Sequence, residues 1–341
     1  MNLESGIWDM IGTNLQRICP KSPMRSLTLT APAKINLLLH IAGDRPDGFH
    51  ELVMVMQSID LADTVTVKER REPGIGLTCD RLNVPTDSGN LAWKAADLMQ
   101  RRFPDVAKKQ GGIAIDLVKR IPMGAGLAGG SADCAAVLVG IDLLWELGLT
   151  QLDLQTLAAE LGSDISFCVA GGTALCTGRG EIIDPLPNLD HLYAVLAKYK
   201  DLPVPTPWAY KTYRAEFGST YPPTITELDR RSEQLKTGSM MSAIVQRDGA
   251  AIGAGLHNDL EKVVLPHYPK VQNLRNEFAK TDSLGVMMSG SGSTVFALAQ
   301  SLEQAEAIEA TMRSAIPDSD LEFWITKFCD SGVQLVDSIN G

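Results

Sequence analysis

Four glycines within seven residues, Gly124, Gly126, Gly129 and Gly130, stand between a strand-like run at 113–121 and a long apolar run at 131–147. Glycine lets the backbone turn with its N–H groups facing a ligand, and a helix starting at the loop adds the positive end of its dipole. Strand, loop and helix together form a cradle for an anion such as phosphate, and a Cβ at Gly126 would enter the space the anion needs. A tight turn alone requires fewer glycines. Ser131 is placed to cap the helix. Gly124-x-Gly126-x-x-Gly129 matches a dinucleotide fingerprint in letters, but that motif needs a second strand ending in an acidic residue about 20 positions on. Here two helical patterns follow, and Leu149 and Thr150 occupy that position. A Walker loop needs Gly-Lys-Ser/Thr, and Gly129-Gly130-Ser131 has no lysine.

Around the loop, 27–42 alternates and then runs apolar, as strands do; a turn at 44–48 leads to strands at 52–61 and 64–68. A helix is expected at 90–103, with Leu91, Ala95 and Leu98 on one face, and others at 131–147 and 152–161. Beyond Gly171 come strands at 173–176 and 192–197, three prolines within 202–207, and the aromatics Trp208, Tyr210 and Tyr213. Helices at 239–246, 271–279 and 302–314 flank a run at 286–299 that reads as two strands about a glycine turn. Strands and helices without regular alternation indicate α+β architecture. The 341 residues suffice for about two domains. We expect one at 25–180, carrying the loop, and one at 181–335. Residues 1–24 lack periodicity, contain the breaker Cys19-Pro20-Lys21-Ser22-Pro23, and are expected outside the fold.

With 31 Lys+Arg against 41 Asp+Glu, the net charge of −10 argues against a broad basic surface for nucleic acid, so an anionic ligand must be met locally. Six cysteines without a C-x-x-C pair or zinc-like spacing read as reduced thiols of a cytoplasmic protein. No apolar run approaches the roughly 18 residues of a membrane helix, and Glu4 and Asp9 spoil a secretory signal.

PMGAGLAGGS at 122–131 resembles the second motif of the GHMP kinases, small-molecule kinases that lay ATP phosphates on a helix N-terminus. APAKINLLL at 31–39, RPDGFHEL at 45–52, LGSDISF at 161–167 and SGSGST at 289–294 match further family segments in order. Together they resemble the branch that phosphorylates the 2-hydroxyl of a cytidine diphosphate-linked polyol on the non-mevalonate route to isoprenoid precursors. The family often has glycine where Ala125 and Ala128 stand, and an aromatic at Cys168.

The resemblance implies a two-domain architecture with the active site in the cleft between domains, ATP and Mg²⁺ as cofactors, and a small-molecule substrate. It implies that Lys34 and Asp164 are catalytic; on residue type alone they would be a solvated strand charge and a helix cap. For ATP it implies Pro122, Met123, Gly124, Ala125, Gly126, Leu127, Ala128, Gly129, Gly130 and Ser131, with Asn90 and Lys119 on the nucleotide side and Ser131 as a metal ligand. For the acceptor it implies Asn36, Phe49, His50, Tyr210, Gly290, Ser291 and Gly292, with Phe49 and Tyr210 sandwiching the pyrimidine. A homoserine or mevalonate-type kinase is the alternative within the family, disfavoured by the Phe49-His50 pair and the APAKINL form. A non-catalytic nucleotide-binding protein is the alternative outside it.

Overall fold

The computed structural model describes residues 24–336. Its spine is a hairpin of two long strands, β1 (Ser26–Asp44) and β2 (His50–Arg70), joined by a turn in which Gly48 sits at φ +84°. Three register shifts, one of them beside Pro32, bend the ribbon. The strands expected at 52–61 and 64–68 are one. Asp63, in the gap between them, is fully buried, and its carboxylate accepts the N–H groups of Arg120 and Ile121 at 2.5 and 2.8 Å. A satisfied carboxylate does not interrupt a strand.

The chain continues through β3 (Ile75–Cys79), α1 (Leu91–Arg102), α2 (Pro104–Gln110), β4 (Gly112–Val118), α3 (Gly129–Trp145), α4 (Gln151–Ala159), α5 (Ser163–Ala170), β5 (Thr173–Gly178) and β6 (Ile182–Pro185). Then come β7 (Tyr193–Tyr199), α6 (Thr206–Phe217), α7 (Ile225–Lys236), α8 (Ser239–Gln246), α9 (Gly249–Ala254), β8 (His257–Asn258), α10 (Glu261–His267) and α11 (Pro269–Phe278). β9 (Gly285–Met288), β10 (Val295–Ala299), α12 (Leu302–Ala315), β11 (Leu321–Lys327) and β12 (Gln334–Leu335) complete it. The larger sheet runs β12-β1-β2-β4-β3, with β5 also paired to β2, β6 to β5, and β8 parallel to β1. The smaller runs β11-β7-β10-β9. Three short strands from beyond residue 180, β6, β8 and β12, thus join the sheet built mainly by the first half.

α3 is buried on nearly every side, against α1, α5 and the β1–β2 ribbon. This is why its sequence is apolar all round rather than striped. Its two buried aspartates both have partners: the Asp142 carboxylate accepts the Leu149 N–H at 3.0 Å, and Asp133 is bonded to the Lys119 ammonium. α4 starts at a Thr150–Asp153 capping box. No helix among the described residues is long and apolar enough to cross a membrane. The expectation for residues 1–23 lies outside the described residues.

Candidate active site

β4 leads into the glycine loop, and the loop opens onto a cavity of about 880 Å³ lined by both halves of the chain. Gly124 and Gly126 have φ of +57° and +73°, as the close turn requires. Ser131 does not cap α3. The N-cap is Ala128, itself left-handed at φ 57°, and no side chain caps the helix, so Ser131 is the third helical residue, lining the cavity with Gly129 and Gly130. The helix end therefore keeps its anion-binding character. Alanine at φ > 0 is strained by about 1 kcal/mol. Ala128→Gly should accordingly stabilise the fold by about 0.5–1 kcal/mol, read as a higher urea midpoint at unchanged m-value; a lower midpoint would mean the methyl packs usefully.

Lys34 on β1, Asp164 on α5 and the turn between β9 and β10 converge beside the loop. Lys34 is 4% exposed on β1; its ammonium donates to Asn36 Oδ1 at 2.8 Å and lies 3.5 Å from Asp164 Oδ2. The Lys34 N–H donates to the Leu127 carbonyl at 3.1 Å, tying β1 to the loop. Asp164 is the second residue of α5, whose N-cap is Gly162, and one third of its side chain remains exposed. It is not a cap; the helix N-terminus favours its negative charge. The turn between β9 and β10 closes the group. A Cβ on Gly290, at φ +55°, would lie 3.4 Å from both Lys34 Nζ and Asn36 Oδ1. Ser289 Oγ donates to the Gly126 carbonyl at 3.0 Å. Gly126 lines the cavity with its backbone, but a Cβ on it would point at this turn, 2.1 Å from the Ser289 carbonyl oxygen. Ser291 lines the cavity and is linked to Thr206 at 2.8 Å; Gly292 is a turn residue outside the lining.

Lys119 also reaches the cavity wall, but its ammonium is bonded to the buried carboxylates of Asp63 and Asp133. Burial, reinforced by the Asp63 charge, pushes the Asp133 carboxyl up to about 7, against the pull of Lys119. Asn90 caps α1, accepting the Ala92 N–H at 2.8 Å, and it is Leu91 that lines the cavity.

Across the cavity, His50 stacks on Tyr210 with centroids 5.4 Å apart and planes at 21°. Phe49 is 53% exposed, beneath the Arg179 guanidinium at 5.0 Å. Tyr210 thus pairs with His50, and Phe49 lines the same cavity. Burial holds the His50 imidazole below its usual range, although Asp44 lies 3.3 Å from Nδ1, so the ring is neutral near pH 7. Sequence reading missed three lining cations, Arg179, Lys211 and Arg214. Lys211 and Arg214 share a helical face of α6, a spacing visible in the sequence; Arg214 is paired with Asp44 at 2.9 Å. Among the described residues, His40, His257 and Asp259 form the one group spaced like metal ligands. Its carboxylate already takes the Lys262 ammonium at 2.7 Å and the Ile41 N–H at 2.8 Å, leaving a saturated ion cluster away from the cavity.

Comparison with known proteins identifies the family. Residues 90–172 match the model of the GHMP kinases N terminal domain, and residues 240–318 that of the GHMP kinases C terminal. The chain is 57% identical to the 4-diphosphocytidyl-2-C-methyl-D-erythritol kinase of Acaryochloris marina over 92% of this chain and 100% of that protein. It is 55% identical to the Trichormus variabilis protein of the same name, over 92% and 99%. A crystal structure of 4-(cytidine 5'-diphospho)-2C-methyl-D-erythritol kinase superposes with a TM-score of 0.66 at 30% identity, covering 90% of this chain and 99% of that one. Homoserine kinase from Cytophaga hutchinsonii, at 20% identity and a TM-score of 0.69 over 91% and 97%, shares the fold. The α+β chain with a glycine loop at the start of a buried helix belongs to the GHMP kinases, in their 4-diphosphocytidyl-2-C-methyl-D-erythritol kinase family.

Proposed function

We propose that the chain transfers the γ-phosphate of ATP to the 2-hydroxyl of 4-diphosphocytidyl-2-C-methyl-D-erythritol. The observation that carries this reading is the meeting of Lys34, Asp164 and the loop in one cavity that the His50–Tyr210 stack also lines. Asp164 accepts or orients the proton of the acceptor hydroxyl. Lys34, 3.5 Å away, favours its ionised form and offsets charge on the transferring phosphoryl group. The N–H groups at the start of α3 receive the ATP phosphates. Residues 25–180 contribute this phosphate-handling half, and 181–335 contribute Tyr210 and the Gly290–Ser291 turn.

Mg²⁺ prefers oxygen ligands and retains several waters. The Ser131 hydroxyl and the Asp164 carboxylate both line the cavity and are the oxygen donors that would hold such an ion. Bound there, it would supply neutralisation of phosphate charge. Arg179, Lys211 and Arg214 supply positive charge for the acceptor's diphosphate in a chain of net charge −10.

Stacking tolerates any base, so choice of cytosine requires hydrogen bonds. The His50 Nδ1 is buried beside the Asp44 carboxylate, so Nε2 is the ring atom that would read the edge separating amine from carbonyl. The wrong base leaves a buried polar group unpaired. The cytidine substrate should therefore be preferred over its uridine analogue by about 10²-fold or more in kcat/KM, and His50→Ala should narrow the gap by raising KM for the cytidine form. A coupled ADP-release assay over both nucleotides, homoserine and mevalonate tests the reading. Equal use of the two nucleotides, or turnover of homoserine or mevalonate instead, overturns it.

A further inference from the structure

None of the residues from His257 to Glu261 lines the cavity, yet the segment grips two of its walls. β8 runs parallel to β1, pairing His257 with Leu38 and Asn258 with Leu39. The Asp259 N–H donates to the Leu39 carbonyl at 2.9 Å, and its carboxylate accepts the Ile41 N–H at 2.8 Å. The segment is thereby fixed to the strand that carries Lys34 and Asn36. On its other side the Asn258 amide, 4% exposed, donates to the carbonyls of Met288 and Gly290, both at 2.8 Å. Its oxygen accepts the Leu260 N–H at 2.9 Å. Two carbonyls and one N–H leave a single orientation for this amide. Glu261 adds a third tie to the turn, accepting the Met288 N–H at 2.8 Å.

The turn so held is the one whose Gly290 packs on Lys34 and Asn36 and whose Ser289 meets Gly126. Its position fixes the gap between the ammonium and the phosphate loop. We infer that Asn258 is a positioning residue for phosphoryl transfer, acting through the Met288 and Gly290 carbonyls to set where the Lys34 ammonium stands against the loop. A preorganised cation acts chiefly in the transition state, so a displacement there lowers kcat more than substrate affinity.

The inference rests on the kinase reading, and the test separates the two. Asn258→Asp keeps the shape but turns a carboxylate oxygen toward two carbonyls. Asn258→Ser keeps one donor in a shorter side chain, and Asn258→Ala keeps none. Turnover per folded molecule is measured well below each variant's Tm, with folding followed by near-ultraviolet circular dichroism, beside the wild type. The expected result is a fall in kcat of roughly 10- to 10²-fold for Asp and Ala, with Ser intermediate, and KM for the cytidine substrate within about threefold, because the Asn258 side chain bonds Met288, Gly290 and Leu260 and neither His50 nor Tyr210. A lowered Tm with unchanged kcat, or a rise in KM matching the loss in kcat/KM, would overturn the positioning role. If Asp does not fold, Ser and Ala carry the same comparison. An inactive wild type would instead sink the kinase reading.

Discussion

Asp164→Asn is expected to lower kcat by about 10²- to 10⁴-fold while ATP affinity stays within a few-fold. The carboxylate sits one residue inside α5, 3.5 Å from a lysine that is almost wholly buried, and a third of it faces the cavity. A group placed only to end a helix would sit at the cap and need no such partner. The amide keeps the shape of the side chain and its place near Lys34, but it can neither accept the hydroxyl proton nor carry the charge that the ammonium balances. ATP phosphates rest on the loop, so their binding is largely spared. Lys34→Met should lower kcat by about 10²-fold or more, and the double mutant should fall far short of the product of the two effects, since each side chain works through the other. Steady-state kinetics with isothermal titration of ATP decide the matter. Near-normal kcat in folded Asp164→Asn would remove Asp164 from the chemistry, and strict additivity would mean that the two residues serve separate steps.

The parts of this site that were legible in the sequence are those whose signal is local. Gly124, Gly126 and Gly290 occupy positive φ, and only a glycine-rich run allows such turns in close succession, so the loop and the β9–β10 turn could be read from composition. The all-round apolar character of α3 likewise marks a buried helix before any contact is known. What failed to show depends on partners far away in the chain. The single strand β2 reads as two because the N–H groups that satisfy Asp63, in the gap at 62–63, belong to residues 120 and 121. Lys119 reads as a free cation because its carboxylates come from β2 and α3. Arg179 and Asn258 carry no periodic signal, and their importance appears only when β1, the loop and the β9–β10 turn are brought together. α10 escaped notice because Pro266 sits inside it, and α9 because it is only six residues long.

Gly126 is where sequence and structure give different mechanisms for the same sensitivity, and two alanines separate them. From the motif alone a Cβ at Gly126 blocks the phosphates. In the fold it strikes the Ser289 carbonyl at 2.1 Å, from a residue at φ +73°. A backbone oxygen held by the β9–β10 turn cannot step aside as a flexible side chain can. Gly126→Ala should therefore push the turn away from the loop, combining left-handed strain of about 1 kcal/mol with overpacking of about 1–3 kcal/mol. Its stability should fall by about 2–4 kcal/mol and kcat should fall with it, because the same turn bears on Lys34. Gly130 is the contrasting position. Its Cβ would meet nothing nearer than Leu91 Cδ1 at 3.8 Å, and it stands exposed on the first turn of α3 at the cavity. Gly130→Ala should leave stability unchanged or slightly raised, as replacing a helical glycine does, while its methyl crowds the phosphates and raises KM for ATP. Urea unfolding and ATP titration on both variants give a crossed pattern: stability lost at 126, ATP affinity lost at 130. A stable Gly126→Ala that had merely lost ATP binding would return the residue to the phosphate wall and contradict the contact with Ser289.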